Sequence, residues 1–179
     1  MTHKLDHTVA LLARTPFTFD ALLRNLPDSW TRRNEGENTW SAFDIVGHLI
    51  HCERTDWLPR SKWLLQYGET QPFPPFDRQG HVRESQGKSL SQLLDEFAKL
   101  RSGNLAELRA MDLQPIDLAR LGRHPALGSL TLSDLLAAWA AHDLNHLHQL
   151  ARVMAHQYRS SIGPFTQYMG VFHCNAHGA

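Results

Sequence analysis

Apolar positions recur at three-and-four spacing along most of this chain, the period of helices with one buried face. The pattern predicts a first helical region over about Lys4–Leu26, with Pro16 at a break or in the first turn of a second segment. Ser41, with Asp44 three residues on, reads as a capping box opening a second helix through about Tyr67, kinked at Pro59. The third helix, about Ser89–Met111, has the clearest stripe: Leu90, Leu93, Leu94, Phe97, Leu100, Asn104, Leu108 and Met111, with Asn104 its only polar member. Thr131 and Asp134 form a second capping box before a fourth helix that runs from about Leu132 to Tyr158.

The polar stretch 27–40 reads as a connection. "GETQPFPPFDRQGHVRESQGK" reads as a long loop between the second and third helices. "QPIDLARLGRHPALGSL" is expected to be a turn-rich link with one helical turn. No strand pattern, internal repeat or low-complexity tract interrupts this order. The expected fold is all-α, a four-helix bundle in a single domain over residues 1–179, with a peripheral tail after about residue 160 that adds one short helix.

Composition narrows the function classes. Lysine plus arginine equals aspartate plus glutamate at 18 each, so nothing points to nucleic acid or to a solvating acidic tail. No stretch approaches the roughly 20 apolar residues that span a bilayer, and no signal peptide is evident. With only Cys52 and Cys174, far apart, reduced thiols and a cytoplasmic protein are expected.

The chemistry concentrates in "HDLNHLHQL", residues 142–150. With Trp139 set at zero and about 100° per residue, Leu132, Leu135, Leu136, Leu150, Val153 and Met154 form one stripe. His146 falls near its middle, His142 at its edge one turn earlier, and His148 on the opposite, solvated face. Two inward imidazoles at i and i+4 can bind one cation from the same face, or can be core histidines hydrogen-bonded to neighbouring helices. Asp143, also on the apolar side, can orient a ligand histidine or pair with a basic side chain. The second helix offers Asp44, His48, His51, Cys52 and Glu53 as further donors. There the helical wheel favours Glu53, in the stripe of Ala42, Val46, Leu49, Ile50 and Trp57, and leaves His48 off it.

The ordered segments "TWSAFDIVGHLIHCERTDW", "PFPPFDR" and "GRHPALGSLTLSDLLAAWAAHDLNHLHQLARVM" resemble the DinB-like superfamily of four-helix metalloenzymes, over roughly residues 5–170. The resemblance implies a metal triad of His48, His142 and His146. Three imidazoles suit zinc, nickel, iron or copper, and the expected cofactor is a divalent transition metal (zinc, nickel or iron) with an open position for water or substrate. Known relatives include enzymes that use low-molecular-weight thiols for transfer or isomerisation, and some hydrolases. The resemblance therefore implies a small-molecule substrate, a hydrolase or thiol transferase, and a homodimer. A metal-binding or stress-response bundle without turnover is the competing reading, with Glu53 or Asp143 closing the coordination. A metal-free, pH-sensing histidine cluster is a third.

Other residues carry weaker expectations. Phe73, Phe76, Asp77 and Arg78 on the proline-stiffened loop either pack on the bundle or rim the site, with Arg78 binding an acidic group. His124, before Pro125, is an acid–base candidate or the cap of a turn. His173, Cys174 and His177 read as a tail, and the five tryptophans as core and interface anchors. No Gly-rich phosphate loop, nucleophile elbow or paired-cysteine zinc motif appears.

Overall fold

The computed structural model describes residues 3–174. The first bundle segment is two helices, α1 (Leu5–Leu12) and α2 (Thr15–Leu23), with Pro16 in the first turn of the second. A short α3 (Asp28–Thr31) lies in the polar connection. The second segment comprises α4 (Ala42–Thr55) and α5 (Trp57–Tyr67), joined at Asp56. Pro59 explains the joint: it has no N–H to give the carbonyl of Thr55, so the hydrogen-bond ladder fails there. The Ser41–Asp44 box is formed as expected.

The expected loop 68–88 is not structureless. It holds α6 (Gly80–Glu84), which docks on α4 through two glycines. A Cβ at Gly80 would overlap the His51 ring, and one at Gly47 would overlap the Ser85 hydroxyl. The third segment, α7 (Leu90–Ala110), buries Leu90, Leu93, Leu94, Phe97 and Leu108 as its period predicts. It also buries Arg101 and Leu105, while Leu100, Asn104 and Met111 stay half-buried.

After α8 (Pro115–Leu118) comes a β-hairpin that the sequence reading missed. Strands β1 (Leu121–His124) and β2 (Gly128–Thr131) pair antiparallel, Leu121 opposite Thr131. Its turn is a short run of His, Pro, Ala and Leu, without the Asn-Gly signal that announces most tight hairpins. Then α9 (Leu132–His156) opens with its Thr131–Asp134 box. The tail forms two 3-10 turns, Gly163–Tyr168 and Gly170–Phe172, in place of one short helix. No helix among the described residues is long and apolar enough to cross a membrane.

The apolar core is in two pieces. One gathers α2, the first half of α4, the first half of α7 and the end of α9. The other gathers α1, Cys52, α5, the second half of α7 and the start of α9. Between them, on α4, α7 and α9, lies a set of buried polar residues: His48, His51 and Glu53, then Arg101, then Asp143, His146 and Gln149. The bundle therefore carries a polar layer through its middle, and the candidate chemistry sits there.

Candidate metal centre

His48 from α4 and His142 and His146 from α9 converge. Nε2 of His142 lies 3.1 Å from Nε2 of His48 and 3.0 Å from Nε2 of His146. One donor atom from each of the three lies within 4.8 Å of the others, the arrangement of a metal-ligand group. Tetrahedral coordination with metal–nitrogen bonds of about 2.0–2.1 Å needs nitrogen atoms about 3.3 Å apart. The observed spacings fall within a few tenths of an ångström of that.

Protonation fits the same purpose. Gln149 Oε1 accepts a hydrogen bond from Nδ1 of His146 at 2.7 Å. That fixes the proton on Nδ1 and leaves the Nε2 lone pair facing the cluster. Burial first, then the neighbouring imidazoles His146 and His142, holds the His48 pKa down at about 2. Burial, then His146 and Arg101, holds that of His142 at about 3. Burial also lowers the His146 pKa, against the opposing pull of Gln149 and Asp143. All three rings are thus neutral near pH 7, the state that binds a metal. The residues present fit a divalent transition ion.

Two other carboxylates proposed from the sequence lie elsewhere in the layer. Glu53 and Asp143 are both bonded to Arg101, whose five N–H donors are all used. They reach Glu53 Oε1 at 3.0 and 2.8 Å, Asp143 Oδ2 and Oδ1 at 2.6 and 3.0 Å, and the Leu12 carbonyl at 2.8 Å. Trp139 Nε1 and Asn104 Nδ2 donate to the remaining positions of Glu53 at 3.0 and 2.9 Å. Neither acid belongs to the three-histidine ligand group. Asp143 pairs with a basic side chain, while Gln149 orients the ligand histidine. Glu53 takes its place on the apolar stripe because Arg101 and Trp139 meet it there. His48 looked misplaced on the wheel because residues 42–53 of α4 are buried on nearly every side, all but Asp44. An amphipathic stripe has no meaning on a helix enclosed all round.

A cavity of about 280 Å³ opens onto the triad. His48, His142 and Cys52 form its floor, and Trp40 and Phe76 stand at its sides. Arg78 and Gln79, both exposed, line its outer part, whereas Phe73 is buried in the core. Trp40 lies 4.7 Å from the His48 ring and stacks on His146 at 6.0 Å. Trp57 meets His142 edge-on at 4.9 Å. These two tryptophans wall the site; they are more than core anchors. Cys52 Sγ is 3.4 Å from Nε2 of His48, and burial pushes its thiol pKa well up.

The remaining candidates separate from the site. His51 is a neighbour, its Nδ1 bonded to Glu84 Oε1 at 2.7 Å. His124 caps its own turn, Nδ1 accepting from the amides of Ala126 and Leu127 at 3.1 Å, and takes no part in the cavity. His148 is exposed, as its face predicted. In the tail, His173 bonds the Thr166 carbonyl and Cys174 the Gly170 carbonyl, and His177 lies outside the described residues. Both cysteines are free thiols. Sequence reasoning missed Trp40 as a wall, Gln149, His81, whose ring lies 4.9 Å from that of Trp40 and 5.8 Å from that of His48, and Asp56, which also lines the cavity. For Gln149 a signal existed: it lies three residues after His146, on the same helix face.

The sequence model of the DinB superfamily matches residues 11–150. The chain belongs to this superfamily. Among solved structures it is similar to YfiT from Bacillus subtilis, with TM-score 0.72 and 20% identity over 88% of this chain and 89% of that one. That protein is described as a probable metal-dependent hydrolase with an unusual four-helix bundle topology. A second four-helix bundle protein, TT2238, matches with TM-score 0.51 and 20% identity over 83% of this chain and 98% of that one. At such identity these likenesses show a shared fold. No curated protein matches this DinB-superfamily chain in sequence.

Proposed function

We propose that the chain is a metal-dependent enzyme of the hydrolase or thiol-transferase class, with one divalent ion held by His48, His142 and His146. The carrying observation is the convergence of three imidazoles, with Nε2 of His142 3.1 Å from that of His48 and 3.0 Å from that of His146, and with His48 and His142 lining a cavity. Zinc, nickel or iron suits this donor set, and when bound it supplies Lewis acidity and lowers the pKa of a water or thiol beside it.

The chain's own residues do the rest. Gln149 holds the His146 proton away from the ligand nitrogen. Trp40 and Trp57 shield the rings from bulk water. Arg78 at the rim offers a cation to an acidic group on the substrate. A catalytic role is favoured over a closed structural site because Glu53 and Asp143, the two acids the sequence offered to close the coordination, are committed to Arg101.

The test is elemental analysis of untagged protein beside His142→Ala. Near-stoichiometric metal in the first and a loss in the second are expected. Equal metal content in the two overturns the site. Metal-loaded protein is then screened for hydrolysis of activated esters and for transfer of small thiols to electrophiles.

A further inference from the structure

Asp56 occupies the joint between α4 and α5, the N-cap position of α5, yet its side chain makes no capping hydrogen bond. Aspartate is among the best N-cap residues, and a cap contributes about 1 kcal/mol. Here that local gain is forgone, and the carboxyl instead lines the same cavity as His48, Cys52 and His142. The residue is only 9% exposed. Oδ1 lies 2.7 Å from Nη1 of Arg60 but out of line for a hydrogen bond, and it has no other partner. That leaves Oδ2 as the oxygen available to the cavity. Among the described residues, buried side-chain polar atoms without a partner belong to Thr31, His51, Asp56, Trp57, His81 and His142. Asp56 and His142 line the cavity itself, and the His51, Trp57 and His81 rings each lie against one of its lining residues, Phe76, His142 and Trp40. Unpaired buried polar atoms lining a cavity mark a place that can take a ligand.

We propose that Asp56 is the proton-transfer group of this centre, a reading that rests on the proposed function. A water or thiol held over the histidine triad loses its proton to Asp56 Oδ2, its bonding electron pair staying on the oxygen or sulfur. That atom bonds the electrophilic carbon of the substrate. The bond to the leaving group then breaks with its pair on the leaving atom, which takes the proton back from Asp56. No electron is gained or lost overall.

Burial raises the Asp56 pKa, with Arg60 and His51 opposing, which brings the carboxyl closer to neutral pH, where such groups exchange protons well. The groups facing it are His51 and Cys52 from α4, Arg60 from α5, Arg78 from the loop and His142 from α9. None of the carboxylates buried in the Arg101 network enters this cavity.

The experiment uses zinc-loaded full-length protein and acetohydroxamate, a small acid that loses a proton on binding zinc. Proton release is measured by calorimetry at about pH 6 in two buffers of different ionisation heat. The wild type should release close to one proton fewer than Asp56→Asn, because Asp56 keeps it. Equal release by two proteins with equal zinc content overturns the proposal. Loss of zinc binding, or of acetohydroxamate binding, by the wild type overturns the proposed function itself, so the two failures are distinct. On p-nitrophenyl acetate, Asp56→Asn should lower kcat about a hundred-fold with KM little changed and remove the acid limb of the pH profile. Asp56→Glu should restore part of the rate. If Asp56→Asn does not fold, Arg60→Met carries the test. Without the guanidinium that favours the carboxylate, the acid limb must move to higher pH, and an unmoved limb overturns the proposal.

Discussion

Arg101→Met is the sharpest probe of the polar layer. The guanidinium is 1% exposed and satisfies two buried carboxylates at once. Removing it treats them unequally. Glu53 keeps Trp139 Nε1 and Asn104 Nδ2 as donors, whereas both hydrogen bonds of Asp143 come from Arg101. Asp143 must then take up a proton to remain buried. Protonating an aspartate of ordinary pKa at pH 7 costs about 4 kcal/mol, at 1.36 kcal/mol per pKa unit. Losing the donor to the Leu12 carbonyl adds about 1–3 kcal/mol independent of pH.

The sign of the pH dependence follows. In the variant a buried carboxyl has lost the donors that favour its charged form. The penalty is absent in acid, where carboxyls are protonated in both states, and grows as pH rises. Urea unfolding in chelator should therefore show a gap between wild type and variant of about 5–7 kcal/mol at pH 7, shrinking by about 1.4 kcal/mol per pH unit on acidification. Adding Asp143→Asn to the variant should recover most of the pH-dependent part. A gap below about 1 kcal/mol, or one constant with pH, would refute the reasoning.

Further outcomes follow from the same geometry. Gln149→Leu removes the acceptor for Nδ1 of His146 and should weaken metal binding about ten- to a hundred-fold in chelator competition, while the stranded buried N–H costs about 1–3 kcal/mol in metal-free melts. Gly80→Ala should destabilise by about 1–3 kcal/mol, because its Cβ meets the His51 ring that Glu84 anchors. Gly47→Ala should cost less, since the Ser85 hydroxyl it meets can rotate; matched thermal melts decide the order. Metal-free protein should lose stability as pH falls below about 6.5, because His48 and His142 stay neutral when folded and become charged when unfolded. Stability that is flat with pH in chelator would contradict their burial.

What the sequence determined by itself was set by short-range physics. Capping boxes at Ser41 and Thr131 and the apolar period of α7 act within a few residues, so helix starts and faces were legible. The inward pointing of His146 and the outward pointing of His148 follow from one turn of helix geometry. The choice of His48 was carried by family resemblance, not by the residues' own pattern. A helix enclosed by α6, α7 and α9 gives no stripe to read. Only the tertiary structure decided which carboxylates close around Arg101 and which one lines the cavity. Glu53, Asp56 and Asp143 are chemically alike in a string of letters. Arg101 arrives from a helix about fifty residues away, and Asp56, at the joint that Pro59 causes, lines the cavity with His48 and His142. Such pairings are long-range contacts whose energy depends on distance and burial, quantities the linear chain does not contain.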